Sequence, residues 1–273
     1  LALVYIICIV IAVAAAFVGS LIGLGGGIIL IPSLLFLYKY SDAFAWAEPQ
    51  MIVGISLVTM VFTAFSSTVS YMKKGRVDYK TGLLFLIGCI PAGIFGAWLN
   101  QFVNSNGFSL YFGMLMIGLS MLFLIKRKRP DTVPGNKEKV RTFTVDDETY
   151  HYNVSVWQAI VISVIVGILS GLFGIGGGSI LVPALILLFG IPVHIASATS
   201  MFMIFFISII SSGTHIYLGH VIWEYAILFI PGALVGGVIG AKVNQHIKGN
   251  KLEWVLRVIL IIIGIRLIVE GLM

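Results

Sequence analysis

Gly23-Leu24-Gly25-Gly26-Gly27-Ile28-Ile29-Leu30-Ile31-Pro32 is written a second time as Gly174-Ile175-Gly176-Gly177-Gly178-Ser179-Ile180-Leu181-Val182-Pro183. The reading of this pair decides the fold. Both copies lie inside long apolar runs, where glycine is costly. It loses more backbone freedom on ordering than any other residue and weakens a helix by about 1 kcal/mol relative to alanine. Three together, twice, at corresponding places, predict two deliberately broken helices. In a membrane chain, paired interruptions of this kind point to a transport site.

The surrounding composition puts the chain in a membrane. Of 273 residues, 59% are hydrophobic and only 10% charged, and the mean hydropathy is +1.07. A soluble domain carries about 25% charged residues. Apolar segments cover 1–38, 51–72, 81–99 and 108–125, then 154–190, 194–217, 222–243 and 252–272. Several reach the roughly 20 residues that cross a bilayer. The first run has no basic leader region and reads as a span, not a signal peptide. Cys8 and Cys89 both fall in apolar spans, which predicts buried reduced thiols and no disulfide framework.

The chain divides as 1–125, a first transmembrane repeat; 126–153, a polar connecting loop with no core of its own; and 154–273, a second transmembrane repeat. Gly174 follows Gly23 by 151 positions. Farther on the offset is 144, pairing Ser56 with Ser200, Gly75 with Gly219, Val77 with Val221, and Asn100-Gln101 with Asn244-Gln245. The change falls in a loop, Tyr38 to Gln50 being longer than Gly190 to His194.

Thirty-eight helical residues would measure about 57 Å, nearly twice a hydrocarbon core of about 30 Å, so residues 1–38 cannot be one crossing. Either two helices meet at the glycines or a hairpin enters and returns. Each half then holds a glycine-broken helical pair or hairpin plus three transmembrane helices. That odd count inverts the second repeat, giving an all-α polytopic membrane protein of two inverted repeats. Loop charges agree: Lys73, Lys74, Arg76 and Lys80, the run Lys126-Arg127-Lys128-Arg129, and Lys242, Lys248 and Lys251 all fall on one side. By the positive-inside rule, loops 73–80, 126–153 and 242–251 are cytoplasmic. The net charge of +6 is accounted for by these loops and does not call for nucleic acid.

A helix that restarts after a break exposes unpaired N–H groups and about half a positive charge. Gly25, Gly26 and Gly27, and Gly176, Gly177, Gly178 and Ser179, are therefore candidate anion cradles, since glycine lets an oxyanion approach the backbone. No Lys-Ser/Thr completes a P-loop, and the dinucleotide fingerprint is absent. Gly232-x3-Gly236-x3-Gly240 reads instead as a close-packing stripe.

No Asp or Glu stands in the middle of a span. Cation and proton pathways usually place carboxylates there, so the pattern favours an anionic or neutral substrate. The polar residues within spans are neutral. Among them Ser56, Thr199 and Ser200 are candidate substrate ligands, because Ser56 and Ser200 share a repeat position after the glycine elements. Most other span hydroxyls are expected to bond their own helix carbonyls. Asn100 and Asn244, at span ends, are read as capping residues. His215 is the candidate proton-coupling group.

The residues Gly174 to Pro183, Ala198-Thr199-Ser200 and His215-x3-Gly219-x-Val221 resemble the TauE/SafE family of sulfite exporters. A degenerate copy fills the first half as Gly23 to Pro32, Ser56 and Gly75-Arg76-Val77-Asp78, where Ile55 replaces Thr199 and Tyr71 replaces His215. The resemblance implies export of a small sulfur-containing anion, such as sulfite or an organosulfonate, across the plasma membrane. The expected machine is a secondary transporter with alternating access, holding its anion at the glycine-broken helix N-termini near mid-membrane. An anion channel, or a transporter of another small anionic or neutral metabolite, is the alternative. No catalytic constellation, metal site or cofactor motif is present in the sequence, so the chain is not read as an enzyme. Its partners are the small anionic substrate and the lipid bilayer, and the oligomeric state is left open.

Overall fold

The computed structural model describes residues 2–103, 105–122, 140–145 and 148–247, with 254, 258, 261, 262 and 265. Its order is α1 (Ala2–Ile22), α2 (Gly27–Tyr40), α3 (Pro49–Met72), α4 (Tyr79–Leu99), α5 (Ser105–Leu122), β1 (Val140–Val145), β2 (Glu148–Asn153), α6 (Val156–Phe173), α7 (Gly178–Leu187), α8 (Val193–Tyr217) and α9 (Trp223–Asn244). Six of these helices, α1, α3, α4, α6, α8 and α9, are long and apolar enough to cross a membrane. The all-helical polytopic expectation therefore holds for the transmembrane body. The apolar run 252–272 and the basic run 126–129 lie almost wholly outside the described residues.

Burial sorts the spans into layers. In α3 78% of the apolar window is buried and in α8 67%, against 44% in α1 and 39% in α6, so α3 and α8 form the centre. The outer helices turn large apolar side chains outward, including Ile6 and Val10 on α1, Leu83 and Ile87 on α4, and Ile227 and Val235 on α9. In water that surface would be a liability. Against lipid it is the expected one.

The repeats are interleaved rather than set side by side. α1 packs along α9, and α6 packs along α4, so each broken helix leans on the corresponding span of the other half. The stripe Gly232, Gly236, Gly240 makes the first contact: Cβ atoms placed there would meet Ala12 Cβ at 2.7 Å, Val13 O at 2.5 Å and Phe17 O at 2.2 Å. On the other side Gly88 and Gly96 face Ser163 and Ile168 in the same way. Lipid tails supply no hydrophobic drive between helices, so close backbone approach and dispersion must hold them together. Cys8 and Cys89 are buried free thiols, as expected.

One segment departs from the sequence reading. The connecting stretch 126–153 contains the antiparallel hairpin β1–β2, with Phe143 opposite Tyr150 and Arg141 opposite Tyr152. Its β-branched and aromatic residues fit a pleated surface. Tyr152 and Val154 are buried against the helical body.

Candidate functional site

Each break is built from three left-handed glycines and one crowded glycine. Gly23, Gly25 and Gly26 have φ of 87°, 85° and 101°, and their equivalents Gly174, Gly176 and Gly177 have 69°, 70° and 72°. That region is accessible to glycine at little cost and strained for bulky residues. The chain consequently doubles back after each span. Cβ atoms on Gly26 and Gly177 would lie 2.8 Å from Ala15 O and 2.5 Å from Val166 Cγ1, more than a helical turn back along α1 and α6.

Gly27 and Gly178 serve a different purpose. A Cβ on Gly27 would stand 2.5 Å from Gly174 O, and one on Gly178 would stand 2.5 Å from Gly23 O. The two breaks therefore touch backbone to backbone. Over them lie Met60 of α3 and Ile204 of α8, both against Gly25 and Gly176. These two side chains, equivalent at an offset of 144, close the centre with an apolar seal.

Polar side chains lock the same centre. Ser56 Oγ donates to Gly174 O at 2.8 Å, and Ser200 Oγ donates to Gly23 O at 2.7 Å. Asn100 Nδ2 donates to Leu172 O at 2.7 Å, and Asn244 Nδ2 donates to Leu21 O at 2.6 Å. All four bonds cross from one half to the other. They satisfy carbonyls that the broken helices leave without an i+4 donor. The asparagines thus cap a helix, but it is the opposite repeat's broken helix. Their matched spacing was the available signal, and their span-end position hid the target.

Thr199 turns elsewhere. Its Oγ1 accepts the Asp78 N–H at 3.0 Å. Asp78 is buried, N-caps α4 through Thr81 N at 3.1 Å, and accepts from Tyr152 Oη at 2.6 Å. A cavity of about 580 Å³ opens between the hairpin and this cap, with Lys80, Thr142 and Phe143 on its wall. Thr199 therefore connects α8 to the hairpin and not to the breaks. The other span hydroxyls behave as expected: Thr59, Thr63, Ser67 and Thr214 each donate four residues back along their own helix.

Ser179 is the exception among the candidates. It stands at the second position of α7, after the Gly177 cap. It is fully buried, and its Oγ has no hydrogen-bond partner. Helix geometry also leaves the N–H groups of Gly178 and Ser179 without intrahelical acceptors. A buried hydroxyl without a partner costs about 1–3 kcal/mol. At the matching position of α2 stands Ile28.

His215 is fully buried near the end of α8. Its Nε2 lies 3.0 Å from Gly171 O and its Nδ1 lies 3.1 Å from His220 Nδ1. The equivalent Tyr71 donates from Oη to Ser20 O at 2.8 Å, on the equivalent carbonyl. Tyr71 and His215 thus make one structural bond with different chemistry. Outside the spans, partial burial pushes the His220 imidazole below its ordinary range. Among the described residues no cluster of His, Cys, Asp and Glu could hold a metal ion.

The family profile described as Sulfite exporter TauE/SafE matches residues 8–267. The chain is 44% identical to the Bacillus subtilis "Probable membrane transporter protein YunE", over 98% of each chain. It is 27% identical to the Methanocaldococcus jannaschii "Probable membrane transporter protein MJ0441", over 94% of this chain and 92% of that one. A Xylella fastidiosa "Probable membrane transporter protein" is 25% identical over 85% and 82%. No solved structure gives a significant match.

Proposed function

We propose, from the premise that this chain belongs to the sulfite exporter TauE/SafE family and is a membrane transporter rather than an enzyme, that it exports a small sulfur-containing oxyanion bound at the N-terminus of α7. The observation that carries the proposal is Ser179: a fully buried hydroxyl without a partner, one residue into a helix whose first N–H groups are also free. A sulfite or sulfonate oxygen supplies the acceptor that all three donors lack. The positive end of the helix adds attraction, and the adjoining glycines admit the anion to the backbone. α2 carries Gly25, Gly26 and Gly27 in the same arrangement but offers Ile28 in place of a hydroxyl. It is the weaker half of the cradle.

The reciprocal contacts of Gly27 with Gly174 O and Gly178 with Gly23 O support a two-fold relation between the halves. With loops 73–80, 126–153 and 242–251 on the cytoplasmic side, that relation is an inverted repeat. Met60 and Ile204 would part to admit the anion, one repeat rocking against the other. Direct backbone contact between the breaks favours such a carrier over an open pore.

The test is anion binding to purified protein across sulfite, sulfate, thiosulfate, sulfoacetate and taurine. Ser179→Ala is expected to weaken the preferred anion by about tenfold or more, the worth of one hydrogen bond to a charged group. Unchanged affinity in a folded Ser179→Ala protein overturns the assignment.

A further inference from the structure

We propose that His215 and His220 form a proton-binding pair, the coupling-ion site of the carrier, at the place where the first repeat has Tyr71 and Arg76. The inference rests on the transport reading above and adds the second ion.

The two turns are built alike. Arg76 N–H donates to Tyr71 O at 3.2 Å, and His220 N–H donates to His215 O at 2.9 Å. Gly75 and Gly219, with φ of 62° and 76°, make both turns. Each buried aromatic residue then bonds the carbonyl three residues before the first glycine of a break, Ser20 O or Gly171 O. The scaffold needs a donor at that point and nothing more, since tyrosine suffices. Histidine adds a second nitrogen, and the second repeat gives it a partner.

Proton positions follow from the partners. Gly171 O can only accept, so His215 Nε2 carries a proton. In the neutral ring Nδ1 is then an acceptor, and His220 Nδ1–H donates to it across 3.1 Å. His220 Nε2 is left as the entry point for one further proton, which makes His220 an imidazolium whose Nδ1–H bond to His215 is charge-assisted. A second proton, on His215 Nδ1, would place two N–H groups nose to nose and break the bridge. The pair therefore binds one proton.

Among the described residues no hydrogen-bonded carboxylate settles it in place. From α6 the facing group is the Gly171 carbonyl, and from α3 Gly54 packs on the His220 backbone. The nearest carboxylate along the chain, Glu224, is exposed on the first turn of α9. Among the described residues neither histidine is hydrogen-bonded to a carboxylate. A proton bound here is favoured wherever the pair reaches water and disfavoured in the closed arrangement. That differential is what allows a bound ion to shift a conformational equilibrium. Because Gly171 lies three residues before the Gly174 break, movement of His215 acts directly on the helix that leads into the anion cradle.

The experiment compares wild type with His215→Tyr/His220→Arg, which copies the first repeat, and with His220→Gln. Sulfite flux in proteoliposomes is measured from pH 5 to 8, and the ring nitrogens of the labelled full-length protein are titrated by NMR. We expect wild-type flux to change at least tenfold across that range and both variants to lose most of that change while still binding sulfite. A variant profile that matches wild type overturns the proton site. If wild type carries no sulfite at any pH, the anion assignment fails. The ring titration then decides the pair by itself: a coupled one-proton titration of His215 and His220 supports it, and independent titration overturns it.

Discussion

The two glycine breaks share nearly all of their backbone and differ in a few side chains. Left-handed glycines, the mutual approach of Gly27 and Gly178, and the Ser56/Ser200 and Asn100/Asn244 bonds recur in both halves. These features hold the two breaks against each other and the halves together. The differences cluster in the second copy: Ser179 where the first has Ile28, Gly171 for Ser20, and the His215–His220 pair for Tyr71 and Arg76. In the proposed reading, the symmetric features carry the structure and the asymmetric ones carry the chemistry.

The most severe way to break the comparison is at the shared glycines. Gly27→Ala and Gly178→Ala each push a methyl group to 2.5 Å from a backbone oxygen of the other repeat. Neither oxygen belongs to a flexible side chain, so both variants are expected to lose the folded protein, read as yield of monodisperse material. Survival of one and not the other would show that the breaks are not structurally equivalent. Gly177→Leu belongs with them. Its φ of 72° and the 2.5 Å approach to Val166 make it a folding lesion that says little about anions.

A smaller effect is expected at the crossed bonds. Asn100→Ala and Asn244→Ala each strand a buried carbonyl at the end of a broken helix, at a cost of about 1–3 kcal/mol. Asn244 Oδ1 also accepts from His194 Nδ1–H, 3.1 Å away. It should therefore be the more damaging of the two, as thermal melting in detergent would record.

The contrast between Ser67 and Ser211 sharpens the point. Ser67 Oγ bonds Ser20 Oγ at 2.6 Å and Thr63 O at 2.7 Å. Its equivalent Ser211 is buried with no partner, and Gly171 stands where Ser20 would be. Ser67→Ala is expected to cost about 1 kcal/mol, whereas Ser211→Ala should be neutral or stabilising.

The smallest effect is a pH dependence of stability. Burial lowers His220 below the ordinary imidazole value of about 6.5, so the unfolded chain binds its proton more readily. Stability is therefore expected to fall as pH drops below about 6.5, and His220→Gln should lose that slope.

Much of the fold was legible because membrane chains have few options. Run lengths and the doubled glycines marked the spans and the breaks, and the stripe Gly232, Gly236, Gly240 marked a close-packing face, though not that α1 is its partner. The site was legible only in outline. Ser56 and Ser200 reach the breaks, yet each spends its proton on a carbonyl of the other half. That use depends on interleaving, which no local pattern records. Thr199 lies beside Ser200 in sequence, but one helical step turns it to Asp78. Met60 and Ile204 read as ordinary core residues. Only their common offset of 144 marks them as a matched seal. The hairpin within 126–153 reads in sequence as a connecting loop, and its contact with the body is hidden because Tyr152 and Asp78 are 74 positions apart.

In the proposed reading, the α7 N-terminus, through Ser179, holds the anion while α2 supplies the matching scaffold. Exchanging the two positions tests it most directly, with sulfite flux measured in proteoliposomes for Ser179→Ile, Ile28→Ser and the double exchange. Loss of flux in Ser179→Ile, little loss in Ile28→Ser and partial recovery in the double exchange are the predicted result. Wild-type flux through a well-folded Ser179→Ile protein would contradict the account.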